Sequence, residues 1–587
     1  MINVVMKVWQ NLVPNAAQRV GLAMLAIFAY LSFVNLDYAP FWDDEAIVPV
    51  IARNVLRLGA PLADDGRNIL SYYNGADIAD DLTYRYPRLG IYMQVAVFSV
   101  FGEGEIQARA LCALFALAAM VLFADVLRRE FPNRTGFVVL TLAFACFSPV
   151  MISYARSATY NAPTLFFNML LFWSYLRFCE RPRIIFTFLI ALAALAGFHT
   201  HYLSNLVFIA AISVFHLLFR RACFNRRAWW LAIAAAMPYV LSVAWFYFTE
   251  YSPDAYASRN EAFSLTATVK LLSLYLVGLN QNGILTWTVA LWFVGYCGYR
   301  LFVPWQRMLK KRADERRRKR NRNGIGELSS WRTLIEDRVF HYCVFVFVFT
   351  AIIALVAPHP STNSWADVRY MSAIVPFAAP VSAAMVWWVW QYWRPAGVVL
   401  AAVLLLSNLS GWPFLKHRIY GDQPRWTLPS LVVEYHRTYP GPMRAAMAYL
   451  REHANQDDVV FSPIYLPSSR LVYYLSDKIL MCDQLRDVDL PDALQTEGRE
   501  YLFKQNVISG EVNPDWLLYF GGAPSADFIF LREGGPRYAL AVQISGAFFA
   551  STTLQRPEPV WHGSFPPQNA GVTNSIRLYR IERLLRE

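Results

Sequence analysis

FWDDEAIVPVIARNVLRLGAPLADDGRNILSYYNGADIADDLTYRYPRLG, residues 41–90, lies between the first two membrane-length apolar runs of the chain and is too acidic and too aromatic for a plain connector. At its head stand Asp43, Asp44 and Glu45, three adjacent carboxylates just past an apolar segment. That is the water boundary, where ionisation is tolerated and a base can face a cleft between bilayer and solvent. Taken alone, the same acids make a solvated loop; the rest of the chain decides between the two readings.

Outward from this stretch, the 587 residues are 56% hydrophobic and 16% charged, more apolar surface than a water-facing fold buries. The chain reads as an integral membrane protein. Runs near the ~20 residues that cross a hydrocarbon core as helix fall at 17–36, 106–126, 137–153, 162–178, 184–199, 203–219, 228–248, 281–303, 338–357, 370–391 and 395–412. They predict an α-helical polytopic protein with about eleven transmembrane helices. The run 91–101 is too short to span and 264–279 is weakly amphipathic, so both are expected at the interface. No small-residue cleavage site follows the first run, which reads as a retained helix.

The formal charge of +12 does not point to nucleic acid, because the bases collect between apolar runs instead of on one face. Arg128, Arg129 and Arg134, then Arg177, Arg181 and Arg183, then Arg220, Arg221, Arg226 and Arg227, then the basic run Lys310 to Arg322 all fall on one side. Basic loops stay in the cytoplasm. The N-terminus is therefore expected inside, with the loops after the odd-numbered runs and the C-terminal tail outside. The seven cysteines are scattered, without the spacing of a disulfide framework or a zinc site.

The chain divides by composition into a transmembrane domain at 1–412, whose first outer loop is 37–105, a linker at 413–439 and an extracytoplasmic domain at 440–587 with ordinary charge density. PMRAAMAYLREHA has helical spacing. DDVVFSPI, RLVYYLS, DWLLYF, ADFIFLRE and SIRLYRIER read as strands, predicting a small α/β unit.

With sidedness set, the unusual polar residues fall together. They are Asp43, Asp44, Glu45, Arg85, Tyr86 and Arg88 in the first outer loop; Arg156, Tyr160 and Asn161 in the second; His199, His201 and Tyr202 in the third; and Arg369 and Tyr370 in the fifth. A charge at the bilayer centre costs at least ~2.5–3.5 kcal/mol, so these groups belong at helix ends, converging on one cavity. A carboxylate base among guanidinium groups suits transfer from a phosphate leaving group: the base takes the acceptor proton and the cations neutralise the phosphate. Blander readings stand beside these. Asp43 is equally an N-cap and Glu45 a first-turn acid; Arg156 and Arg369 are equally snorkelling arginines; His199 and His201, two apart, lie on different helix faces, which argues against a shared metal.

Asp44-Glu45, then TYRYPRLGIYMQVAVFSVFGEGEIQARALCALFALAAMVL (83–122), then FSPVMISYARSATYNAPTLFFNMLLFWSYLR (147–177) resemble the first half of the C-type membrane glycosyltransferases, in particular the protein O-mannosyltransferases and the aminoarabinose transferases of lipid A. The FG-xx-E-xx-A-R segment at 101–109, THYLSN at 200–205 and VRYMSAIVPFAAP at 368–380 extend the likeness over roughly 17–410. The resemblance implies Asp44 as catalytic base with Glu45 beside it. It implies Tyr86 and Arg88 near the donor phosphate, with Arg156, Arg369 and Tyr370 as further phosphate contacts. Asp43, Arg85, Tyr160, Asn161, His199, His201 and Tyr202 would line the substrate pocket. Three departures are plain: no arginine stands three residues after Asp44, Arg88 replaces the second proline of the Lys-Pro-Pro seen in the aminoarabinose enzymes, and Tyr160 and Asn161 stand where relatives often have an acidic or aromatic residue.

The implied activity is inverting transfer of one sugar from a polyprenyl-phosphate donor to a lipid A, lipopolysaccharide, other glycan or protein acceptor, on the outer face of a cell inner membrane. No cofactor is implied, and Asp43 with Asp44 is the pair that would hold a divalent cation if one were used. The competing class, a transporter or flippase for lipid-linked sugars, should carry ionisable groups near the bilayer midplane in two related halves, whereas here they stand at the boundaries.

Overall fold

The structure, a computed structural model, describes residues 16–41, 43–70, 78–79, 81–85, 87–249, 265–318, 337–356, 368–411, 426–436, 442–461, 468–482, 514–520, 538–545 and 575–581. Among the described residues, each of the eleven apolar runs contains helix. In chain order the helices are α1 (Ala16–Phe33), α2 (Asp43–Leu58), α3 (Arg88–Phe101), α4 (Glu105–Glu130), α5 (Thr135–Cys146), α6 (Pro149–Ala155), α7 (Asn161–Glu180), α8 (Ile184–Thr200), α9 (Tyr202–Phe215), α10 (Arg226–Thr249), α11 (Leu265–Gln281), α12 (Trp287–Arg318), α13 (Arg338–Val356), α14 (Val375–Tyr392), α15 (Arg394–Leu406), α16 (Thr427–Tyr435), α17 (Pro442–His453) and α18 (Ser468–Leu475).

Among the described residues, five helices are long and apolar enough to cross a membrane alone, or six when α5 and α6 count as one bent span. This is a multi-pass membrane protein, and the difference from eleven has a physical cause. The other runs form shorter or more polar helices: α15, with 13 residues, is only about 20 Å long. The run at 137–153 breaks because Pro149 opens α6 without an N–H to continue the ladder from α5, and the two halves meet at 58°.

Among the described residues, two large apolar cores result, beside a small cluster of Phe178, Phe186 and Ala228. The larger joins α1, α4 to α9, α13 and α14 through side chains such as Phe123, Phe172, Phe208, Phe345 and Phe377. It also takes in Leu428, Leu431 and Tyr435 of α16, so the stretch expected to be a linker contributes a packed helix. The second core joins Phe41, Ile47, Val50 and Ile51 of the first loop to Met447, Leu450, Leu471, Val472, Leu475 and Trp516.

The strands β1 (Asp458–Phe461), β2 (Ile479–Cys482), β3 (Trp516–Phe520), β4 (Tyr538–Ser545) and β5 (Ser575–Ile581) form one sheet in the order β2-β1-β3-β5-β4. The pairs β1–β2 and β1–β3 are parallel; β3–β5 and β4–β5 are antiparallel. RLVYYLS, expected as a strand, is helix α18, because Leu471, Val472 and Leu475 share the helical face buried in the second core. ADFIFLRE lies outside the described residues.

Candidate active site

The site is assembled by two buried arginines at one end of the bundle. Arg109 lies five residues into α4, and its side chain is 4% exposed. A charge there has to be paired in full. Its Nε and Nη2 donate to Oε1 and Oε2 of Glu45 at 2.7 and 2.8 Å, a bidentate fork. Nη1 donates to the carbonyls of Leu36 and Ala39 at 2.6 and 2.7 Å, and Nη2 also reaches the carbonyl of Pro40 at 3.3 Å. One guanidinium thus ties the 36–40 segment and the first turn of α2 to α4. Glu45 Oε1 accepts a further bond, 2.7 Å from the backbone N–H of Ala158.

Arg156 does parallel work. Its Nη1 donates to the carbonyls of Leu31 and Val34 and its Nη2 to that of Asn35, closing the C-terminal end of α1 where carbonyls lack intrahelical partners. The guanidinium sits 3.9 Å from the ring centroid of Tyr435 and 5.4 Å from that of Tyr38. Burial lowers its pKa from the ordinary arginine value. Arg156 is thus engaged by the backbone of α1 through both of its terminal nitrogens, and Glu45 is an anchor whose two oxygens are both engaged.

Between these arginines the 157–161 segment is pinned from three sides. Tyr160 stacks on His201 with centroids 4.0 Å apart, and His201 meets Tyr370 at 5.6 Å. Asn161 Nδ2 donates to the Thr159 hydroxyl oxygen at 2.9 Å, and the Ser372 hydroxyl donates to Asn161 Oδ1 at 3.4 Å. His201 Nδ1 accepts the N–H of Ser204 as the N-cap of α9, which fixes the Nε2–H tautomer of the neutral ring. Burial lowers its pKa to about 3. Residues far apart in sequence, from α2, the 156–161 loop, the α8–α9 junction and the 368–374 turn, are thus neighbours.

Not every expected member joins them. His199 bonds Ser242 of α10 at 2.8 Å, and Tyr202 packs on Phe246 with centroids 4.4 Å apart, so both face α10. Arg88 opens α3 at an exposed position. The nearby Asp81 carboxyl is held below its usual range by the Thr83 hydroxyl, with Arg88 adding to the effect. Arg85 is half-buried just ahead of α3. Asp43 and Asp44 occupy the first turn of α2, immediately before the Glu45 anchor, but their side chains, that of Arg369 and the whole of Tyr86 lie outside the described residues. No group of three or more His, Cys, Asp or Glu side chains suited to a metal occurs among the described residues.

Arg109 closes the FG-xx-E-xx-A-R segment that carries the resemblance, but its pairing with Glu45 is not read from the sequence, and Tyr435 and Tyr474 are not singled out there. The tyrosines give no signal, since their partners are about 280 to 430 residues away in sequence.

At the opposite end of α4, about 39 Å away for 26 residues, the basic loops gather. Arg128 and Arg129 bond Asp125, Arg129 and Arg177 approach Glu180, and Arg220 forks onto Glu130 at 2.7 and 2.8 Å. The candidate site and the positive loops thus occupy the two ends of one long helix.

Comparison with known proteins agrees with the sequence resemblance. Residues 86–246 match the family described as dolichyl-phosphate-mannose-protein mannosyltransferase. A putative mannosyltransferase of Bacillus subtilis, YkcB, is 22% identical over 263 residues, which are 45% of this chain and 34% of that protein, so the likeness spans about a third of the relative. Among solved structures, apo ArnT of Cupriavidus metallidurans superposes with a TM-score of 0.51 at 13% identity, covering 86% of this chain and 93% of ArnT. The same enzyme bound to undecaprenyl phosphate gives 0.46 at 15% identity, covering 86% and 94%. The chain resembles the C-type membrane glycosyltransferases and has their fold.

Proposed function

We propose that this protein is an inverting glycosyltransferase that moves one monosaccharide from a polyprenyl-phosphate donor to a cell-envelope acceptor on the extracytoplasmic face of the inner membrane, the acceptor being a glycan or glycolipid. One observation carries the reading: the Arg109–Glu45–Ala158 connection holds the helical turn that contains Asp44 against the Tyr160–His201–Tyr370 cluster. The family matched at 86–246, described by its use of dolichyl-phosphate-mannose, supports a lipid-phosphate donor.

In this reading Asp44 takes the proton of the acceptor hydroxyl as its oxygen attacks the anomeric carbon. The bond from that carbon to the phosphate oxygen breaks on the opposite side, and polyprenyl phosphate leaves with the electron pair. Attack from the far side inverts the centre. Arg85, Arg88 and Arg369, with Tyr86, are assigned to the charge growing on the phosphate. Tyr160, Tyr370 and the neutral His201 offer flat faces and polar edges to sugar rings. The mechanism invokes no metal and no nucleotide. The basic loops at the far end of α4 support the orientation, since such loops stay cytoplasmic.

The test is Asp44→Asn in the purified full-length protein with a polyprenyl-phosphate sugar. General-base catalysis contributes ~10²–10⁴-fold. Transfer should fall by at least about 100-fold while the variant still binds undecaprenyl phosphate; an undiminished rate overturns the assignment.

A further inference from the structure

A recess opens where the C-terminal unit meets the first loop. It has a volume of about 400 Å³ and is lined by Asp37, Pro40, Glu105, Arg444, Arg451 and Tyr474. We propose that this cleft is a docking subsite for a neutral oligosaccharide, the part of a glycan acceptor lying beyond the reacting hydroxyl. The proposal rests on the transfer reaction above and names where its acceptor is held.

The volume falls in the ~300–1,000 Å³ typical of small-molecule sites. Its chemistry selects the class of occupant. Two carboxylates and two guanidiniums share the lining, so their charges cancel. Arg444 stands 3.7 Å from Glu105 and donates to the Asp37 carbonyl at 3.0 Å. Arg451 approaches Asp477 at 3.4 Å and donates to the Tyr474 carbonyl. A phosphate would therefore meet no unopposed positive charge, which disfavours a lipid headgroup. Sugar hydroxyls both donate and accept; carboxylates accept from them, and the fixed fork of a guanidinium donates to neighbouring oxygens. Met447, Leu475 and the Tyr474 ring supply an apolar floor for the C–H face of a sugar ring.

Position joins the cleft to the proposed chemistry. Pro40, on its wall, gives its carbonyl to Arg109, and Glu105 lies one helical turn before Arg109 on α4. The Tyr474 hydroxyl donates to Glu105 and accepts the N–H of Phe41, two residues before Asp43. A glycan seated here lies beside the segment that leads into α2.

Saturation-transfer NMR on the full-length protein in nanodiscs tests this with maltotriose, mannotriose and glucose 1-phosphate as probes. Ala448 is exposed and lines the cleft, so Ala448→Trp fills it without disturbing a core. Arg451→Ala removes a donor whose side chain is 54% exposed. At least one trisaccharide should bind, weaken tenfold or more in both variants, and bind Asp44→Asn as tightly as wild type. The proposal fails if neither trisaccharide binds, if Ala448→Trp binds them unchanged, or if glucose 1-phosphate binds tenfold tighter than both. Cleft and reaction fail separately: transfer by the wild type without trisaccharide binding sinks the cleft alone, whereas cleft-dependent binding without transfer from any polyprenyl-phosphate sugar sinks the reaction alone.

Discussion

Glu45 and Asp44 are neighbouring acids, and the sequence offered both for the chemistry. Structure separates them: Glu45 is 1% exposed, forked onto Arg109 and bonded by the Ala158 N–H. Breaking a buried pair from one side typically costs ~3–5 kcal/mol because the other charge stays behind. Glu45→Ala should therefore lower the melting temperature of the detergent-solubilised protein by several degrees and abolish transfer with it. Asp44→Asn should abolish transfer and leave melting unchanged, so a melting curve run beside the assay distinguishes anchor from base.

His201 supplies the pH dependence at this scale. Its folded pKa of about 3 lies below the ordinary value near 6.5. Below pH 6.5 the unfolded chain therefore takes up a proton that the folded one refuses. Stability falls as the pH drops from 6.5 toward 3 and is unaffected by this group above that window. His201→Gln should flatten the difference in melting between pH 7.5 and pH 5; an unchanged difference would show that the ring is already protonated in the fold.

Elements were legible where one local signal dominates. An apolar run of membrane length admits only a helix, because lipid offers the backbone no other hydrogen-bond partner, and among the described residues each of the eleven runs contains helix. Legibility failed where distant packing decides. α18 has strand-like composition but is helical because Leu471, Val472 and Leu475 pack against α2, and α16 sits inside an expected linker because Tyr435 underlies Arg156. The Tyr474 hydroxyl of α18 accepts the Phe41 N–H and donates to Glu105, so α18 braces the segment leading into α2. Tyr474→Phe leaves that N–H without its acceptor, at ~1–3 kcal/mol if it stays dry. The expected result is a lower melting temperature and a several-fold drop in kcat, with protection of the Phe41 amide lost in hydrogen exchange; retained protection would remove the brace from the account.

At the scale of the molecule, composition changes after 412, and the sequence alone does not name the duty of the unit that follows. The contacts make it part of the site's support. Arg53 of α2 donates to the carbonyls of Val472 and Tyr473 at 3.1 and 2.8 Å, and Asn68 bonds the backbone of Ile479 and Met481 at the edge of β2. Ile47, Val50 and Ile51 share one buried cluster with residues of α17, α18 and β3, and α18 packs directly on α2. Pairing between 41–70 and 443–518 leaves no local trace, because neither segment's periodicity names its partner. Deleting 442–587 should therefore expose the apolar face of α2, collapse the turn that carries Asp44 and abolish transfer, while α4, α13 and α14 remain folded in their own core. Limited proteolysis checks this: cleavage between residues 43 and 70 should become at least tenfold faster, with the membrane helices still protected. A truncated protein that resists cleavage there and still transfers sugar would show that the C-terminal unit does not support the site.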